Sequence, residues 1–291
     1  MKVWIDGELL DGAHARIPIS DHGLLYGDGI FEGMRATNGR IFKLDAHLAR
    51  LSYGARALHL ALPGGLPALR SVAEQTLAAF GDPDAYVRLI VTRGDGALGV
   101  DPTTCPRPRV ICLADRIALF SDEKRRAGLA LITSSWRRPA SDGLDPRIKS
   151  LNYLNNVLAK GEAKRQGADD ALLLNAQGGV AEASVANVFV VQRGALLTPP
   201  TTDGCLDGIT RASVLECARA LGIVCGERTL GRMDLFAADE VFLTGTGAGM
   251  VRVASLDGES IGEPDQHPIS DRLMAAYERM RQAPSAPSVG A

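Results

Sequence analysis

Several broad classes are excluded by what the chain lacks. It has no run of about 18 apolar residues, so nothing in it reads as a membrane-spanning helix. The opening Met1-Lys2-Val3-Trp4-Ile5-Asp6-Gly7-Glu8 has no apolar centre of the kind a secretory leader needs, and the cytoplasm is the expected setting. A net charge of −2 offers no basic field for nucleic acid or anionic lipid. The five cysteines (Cys105, Cys112, Cys205, Cys217, Cys225) form no Cys-x-x-Cys pair, so most read as buried thiols and not as a disulfide framework. The five histidines show no His-x-x-x-His spacing, and no metal site is expected. There is no internal repeat.

What remains is an ordinary globular composition: 291 residues, 46% hydrophobic and 23% charged, enough for two domains. Asp6-Gly7 between Lys2–Ile5 and Glu8–Leu10 predicts a hairpin with a type I′ turn. A loop over Tyr26–Arg35 leads into a strand that Asn38-Gly39 turns back. Asp45 is the expected N-cap of a helix with a Leu48, Leu51, Ala55, Leu58 stripe, and a second helix is expected over Pro67–Phe80. Strands follow at Ala85–Thr92 and Arg109–Leu113, then a charged linker with a turn at Ser121–Arg126. Beyond it the pattern predicts strands at Leu129–Ser134, Ala171–Asn175, Val185–Gln192 and Glu240–Thr244. Helices are expected at Ser150–Gln166, ended by Gly167, and at Thr210–Leu221, ended by Gly222. The class is α+β.

Two charged residues stand out by position. Lys149 precedes a predicted helix, and Glu182 enters an apolar strand. Solvated surface charges occupy such places too. Yet an amine to bond an aldehyde and a carboxylate to keep a pyridine nitrogen protonated are what pyridoxal 5′-phosphate (PLP) asks of a protein. Two segments suit a phosphate: Gly208-Ile209-Thr210-Arg211 opens a helix, with free N–H groups and a positive dipole end, and Gly245-Thr246-Gly247 follows a strand. Arg50 lies off its helix's apolar stripe, where a solvated arginine would also fit.

Read in order, the motifs resemble the fold-type IV PLP enzymes: branched-chain aminotransferases, D-amino acid aminotransferases and aminodeoxychorismate lyases. The likeness runs through Tyr26-Gly-Asp-Gly-Ile-Phe-Glu-Gly-Met-Arg35, His47-Leu-Ala-Arg50, Ala85-Tyr-Val-Arg88, Lys149-Ser-Leu-Asn-Tyr153, Glu182-Ala-Ser-Val-Ala-Asn187, Gly208-Ile-Thr-Arg211 and Leu243-Thr-Gly-Thr246. The resemblance implies a two-domain fold: a small α/β domain (1–114), a linker (115–127), a larger pseudo-barrel domain (128–282) and a disordered tail (283–291). It implies a homodimer or higher homo-oligomer. Lys149 would bond the PLP aldehyde carbon, Glu182 would face the pyridine nitrogen and Tyr153 the ring O3′. Arg50, Ile209, Thr210 and Thr246 would hold the phosphate.

On the substrate side, the resemblance is greatest to the branched-chain enzymes. It implies a ping-pong transaminase moving an amino group between a branched-chain or other apolar amino acid and 2-oxoglutarate through pyridoxamine phosphate. Tyr86 would support the α-carboxylate and Arg88 would meet glutamate's side chain. Tyr26 and Phe31 would line the apolar pocket, with Gly247 and Ala248 beside the substrate. The D-specific Arg-x-His arrangement is missing after Val91-Thr-Arg-Gly94. Lys149-Ser-Leu-Asn152 has the spacing of the D-enzymes and lyases, and Gly249 and Arg252 depart from the branched-chain pattern. A D-amino acid or (R)-amine transaminase, or an aminodeoxychorismate lyase, stays open.

Overall fold

The computed structural model describes residues 1–117, 119–263 and 266–283. Its first half is a six-stranded antiparallel sheet. The strands are β1 (Lys2–Ile5), β2 (Glu8–Asp11), β3 (Gly29–Thr37), β4 (Arg40–Ile41), β5 (Ala85–Thr92) and β6 (Arg109–Asp115), in the order β2-β1-β6-β5-β3-β4. The short helix α1 (His22–Tyr26) precedes β3, while α2 (Leu44–Ala57) and α3 (Gly65–Phe80) cover one face. Strand alternation sorts the side chains. Val87, Leu89 and Val91 of β5 and Ile30, Met34 and Ala36 of β3 pack under the helices, each such burial worth roughly 1.5–3 kcal/mol for the larger ones. The other face is left to Phe31, Gly33 and Arg35 on β3 and to Tyr86 and Arg88 on β5.

Two expectations fail here. The Tyr26–Arg35 segment is strand from Gly29 onward, its register with β5 running Gly29↔Thr92 to Ala36↔Ala85. Asp45 is not the N-cap. Lys43 takes that place in the left-handed region (φ 48°), and Asp45 lies in the first turn. The N–H of Phe42 donates to the carbonyl of Arg35, which brings the chain into α2 one step earlier than the Asp45 signal suggests.

The second half is a nine-stranded mixed sheet that curls. It comprises β7 (Leu129–Arg137), β8 (Asp170–Leu174), β9 (Val180–Ala183), β10 (Asn187–Gln192), β11 (Ala195–Thr198), β12 (Cys225–Glu227), β13 (Glu240–Gly245), β14 (Gly249–Leu256) and β15 (Glu259–Ser260). The order is β12-β11-β10-β13-β14-β7-β8-β9, with β15 on β14. The Ala183 N–H donates to the Ala186 carbonyl at 2.8 Å, so β9 turns straight back into β10. Phe189 of β10 and Phe242 of β13 stack under α6 (Ile209–Ala220) and α8 (Pro268–Gln282). The helix α5 (Leu154–Arg165) packs Ala159 and Ala163 on β7 and β8, and α7 (Arg232–Phe236) lies before β13.

The expected turn at Ser121–Arg126 is a helix, α4 (Asp122–Ala127), capped by the Ser121 hydroxyl. The expected disordered tail lies outside the described residues apart from Ala283. Among the described residues, no helix is long and apolar enough to cross a membrane.

Candidate active site

The two sheets face each other across a cleft, and the chain crosses it at residues 149–151. These are not the start of a helix, as the periodicity predicts. The Phe31 N–H donates to the Lys149 carbonyl and the Leu151 N–H to the Gly29 carbonyl, both at 2.9 Å. Pairing with β3 holds this stretch extended, and α5 begins only at Leu154. The lysine backbone is thereby fixed to the first sheet. Its ammonium lies 4.4 Å from the Phe31 ring centroid and donates to the Tyr153 hydroxyl at 2.7 Å.

Across the cleft Glu182 sits on β9 itself, 5% exposed. Its carboxylate accepts from the Leu206 N–H (3.0 Å) and the Asn187 amide (3.2 Å), and pairs with Arg138 at 2.7 Å. Arg138 is in turn fixed by donating to the Asn156 side chain and the Gly204 carbonyl, each at 3.1 Å. Burial pushes the Glu182 carboxyl above its usual range, while the Arg138 charge pulls the other way. Sequence reading missed Arg138 altogether. No spacing rule ties it to a partner so far along the chain.

The two expected phosphate segments meet at the cleft's other end. Gly208 enters α6 without any capping side chain, so the first N–H groups of that helix, at Ile209 and Thr210, face the cleft unclaimed. Thr246 lies opposite, and the Thr244 hydroxyl below it is buried with no hydrogen-bond partner. Arg50 also lines the cleft, but its fork is turned elsewhere. Nε and Nη2 donate to Glu32 at 2.8 and 2.7 Å, and Nη1 to the Asp207 carbonyl at 2.6 Å. The guanidinium is therefore a positioned charge with some N–H groups to spare.

Glu32 is the hub of that arrangement, although no role for it was legible in the motifs. It shares the helix-side face of β3 with Ile30 and Met34, fully buried, and also accepts from His47 Nδ1 at 2.7 Å. Burial opposes its ionisation. The charge of Arg50 and hydrogen bonds from Arg50 and His47 outweigh that, and its pKa falls from 4.5 to about 2. A depressed carboxyl stabilises the fold fully above pH 4.5 and loses that contribution as pH falls toward 2. Its size is about 3 kcal/mol. Glu32→Gln should lose about that much stability in neutral-pH urea titrations, and the gap to wild type should close on acidification between those two values. A gap that is independent of pH would show that the charge is not what stabilises.

Phe31, Gly33, Tyr86 and Arg88 form the first-sheet wall. A Cβ at Gly33 would overlap the Tyr86 hydroxyl, so this glycine makes room for the tyrosine. The Arg88 guanidinium lies 4.5 Å from the Phe31 centroid, its Nε buried and unpartnered. Gly247 lines the cleft, with Ile117 and Leu119 closing it from the segment after β6. Two expected residues do not reach it. Tyr26 ends α1 and is 36% exposed, its ring edge-on to His22 and its hydroxyl accepting from the Gly99 N–H at 2.7 Å. The Ala248 side chain turns away into the second-sheet core.

A class IV amino-transferase profile matches residues 29–256, a span that contains nearly all of these groups. The chain belongs to the class IV aminotransferases. A Methanocaldococcus jannaschii protein, provisionally a branched-chain-amino-acid aminotransferase, is 41% identical over 281 residues, spanning 97% of this chain and 96% of that one. The crystal structure of the Escherichia coli branched-chain amino acid aminotransferase superposes with a TM-score of 0.93 at 30% identity, covering 99% of this aminotransferase and 97% of the other. The T.th. branched-chain enzyme in complex with N-(5′-phosphopyridoxyl)-L-glutamate gives 0.89 at 34% identity, over 96% and 93%.

Proposed function

We propose that this aminotransferase uses PLP to move an amino group between a branched-chain or other apolar L-amino acid and 2-oxoglutarate. The observation that carries this reading is one cleft holding the Lys149 amine, the Tyr153 hydroxyl, the Glu182 carboxylate and the open N-terminus of α6. The donor set fits the cofactor. Unclaimed helix-end N–H groups, the Thr244 and Thr246 hydroxyls and the Arg50 charge suit a phosphate, and the buried carboxylate suits a pyridinium nitrogen. The phosphopyridoxyl-glutamate complex of the T.th. enzyme supports both cofactor and acceptor.

PLP, when bound, supplies the electron sink that makes an amino acid's Cα proton removable. The chain's own groups do the rest. Lys149 is the base that takes that proton and later returns it on the cofactor side. Tyr153, donating or accepting at the Lys149 amine, orients it. Arg138 keeps Glu182 ionised, and Glu182 holds a proton on the ring nitrogen. Tyr86 supports the substrate carboxylate, while Phe31, Ile117 and Leu119 exclude water around an apolar side chain. Neither Gly249 nor Arg252 lines the cleft, and Arg252 is ion-paired to Asp271. These departures therefore lend no weight to a D-amino acid, (R)-amine or lyase activity.

Large apolar side chains left exposed at Leu98 (87%) and Val100 (80%), with Leu154 and Val157, support a homodimer or higher homo-oligomer, checked by light scattering. The activity test is a panel of L-Leu, L-Val, D-Ala and (R)-1-phenylethylamine with 2-oxoglutarate or pyruvate. Turnover of D-Ala or the amine in preference to L-Leu would overturn the proposal.

Arg88 tests the acceptor. A pocket that takes leucine and glutamate in turn needs a charge that only glutamate uses, and Arg88, with its buried free Nε, is placed to provide it. Losing a charge-assisted hydrogen bond costs ~1.5–3 kcal/mol, or about 10- to 150-fold in affinity. Arg88→Met should weaken glutamate and 2-oxoglutarate by that factor and leave the leucine half-reaction within a few-fold. Equal losses for both would assign Arg88 to the α-carboxylate or to the strand.

A further inference from the structure

Beside the cleft, sharing Ile117 and Thr246 with it, lies a second cavity of about 470 Å³. Three guanidiniums converge on it from elements far apart in sequence: Arg35 on β3, Arg125 on α4 and Arg281 on α8. Two carboxylates face the same space. Glu278 is taken by Arg281 at 2.6 Å, and Arg281 also donates to the Thr37 hydroxyl. Asp122 stands exposed in the first turn of α4. Arg35 and Arg125 have no ion pair and no side-chain hydrogen bond among the described residues.

That arrangement is costly when the cavity holds only water. Arg35 is half-buried, and burial together with the like charges of Arg281 and Arg125 lowers its affinity for its own proton. An arginine held beside two others, without a counter-ion, raises the free energy of the folded chain unless an anion relieves it. The remaining wall is apolar, formed by Phe120, Met250 and Met274 with Ile117. A guanidinium pair forks onto a carboxylate or a phosphate alike, but only a ligand with a hydrocarbon body would use that wall.

We propose that this cavity is a second anion-binding site, separate from the Lys149 cleft, for a small aliphatic carboxylate. Its carboxylate engages Arg35 and Arg125, and its hydrocarbon body lies against Phe120 and Met274.

The experiment is calorimetric titration of the holoenzyme with 4-methylpentanoate, which has neither amine nor oxo group and cannot be turned over. A binding event should persist in Lys149→Ala and weaken about 10- to 100-fold in Arg125→Gln and in Arg35→Gln, the range for losing one charge-assisted bond. Inorganic phosphate, with the charge but no hydrocarbon, should compete only weakly. Phosphate binding as tightly as the carboxylate would overturn the ligand class. A titration that is identical in wild type and both arginine variants would overturn the site. In low-salt buffer without added anion, Arg125→Gln should melt no lower than wild type, because it relieves repulsion; a lower melting temperature would assign Arg125 to structure. Because the decisive event is read in Lys149→Ala, loss of the transaminase reading would appear separately, as absence of turnover in wild type.

Discussion

Lys149→Ala should fold, bind PLP without a covalent link and lose transamination. Removing the proton-transferring group alone costs about 10²- to 10⁴-fold, and the lost covalent attachment adds to that. The fold should survive, because the contacts that place residue 149 are backbone ones: the Phe31 N–H to its carbonyl and the Leu151 N–H to Gly29. Only the Tyr153 hydroxyl loses a partner. Borohydride treatment of wild type should fix the cofactor on Lys149, read by peptide mass, and the visible absorbance of the holoenzyme should change in the variant. The nearest competitor in sequence, Lys160, is already committed to Asp170 at 3.0 Å and to the Asp169 carbonyl at 2.7 Å. Labelling there, or absorbance unchanged in Lys149→Ala, would sink the assignment.

How far such a site can be read in advance depends on whether its geometry is local. Helix-start and strand-end motifs carry their own backbone chemistry, which is why Ile209, Thr210 and Thr246 could be placed from sequence and do line one cleft with Lys149 and Glu182. Alternation on β5 likewise separated Tyr86 and Arg88 from the core positions Val87 and Leu89. Long-range contacts left no such mark. The Arg138–Glu182 and Arg50–Glu32 pairs join different elements, and the β3 pairing that delays α5 to Leu154 overrides a helical pattern from Ser150. The helix α8 escaped notice for another reason: it buries only Ser270, Leu273 and Tyr277, too sparse a stripe to stand out. Tyr26 shows the limit of motif transfer, since a residue inside a matching segment is placed by α1 outside the cleft.

Glu182→Gln should keep the cofactor and slow catalysis about 10²- to 10³-fold, the usual cost of deleting a preorganised electrostatic partner. The amide is nearly the same shape and can still accept from the Leu206 N–H, so binding changes little. It cannot hold a proton on a ring nitrogen. The loss therefore falls on kcat more than on KM, as for any interaction strengthened in the transition state. Arg138 separates this from a structural explanation. Burial already raises the Glu182 carboxyl, and the Arg138 charge at 2.7 Å is what opposes it. Without that charge the carboxyl keeps its proton to higher pH, so in Arg138→Met the acid limb of the pH–rate profile should move upward and activity should recover as pH rises. In Glu182→Gln no rise in pH should restore the rate, because there is no carboxyl left to ionise. If Arg138→Met instead lowers kcat equally at every pH, the arginine only braces β9 and the carboxylate's charge is set elsewhere. An unchanged kcat in Glu182→Gln would remove Glu182 from the chemistry and leave Lys149 without its electrostatic counterpart.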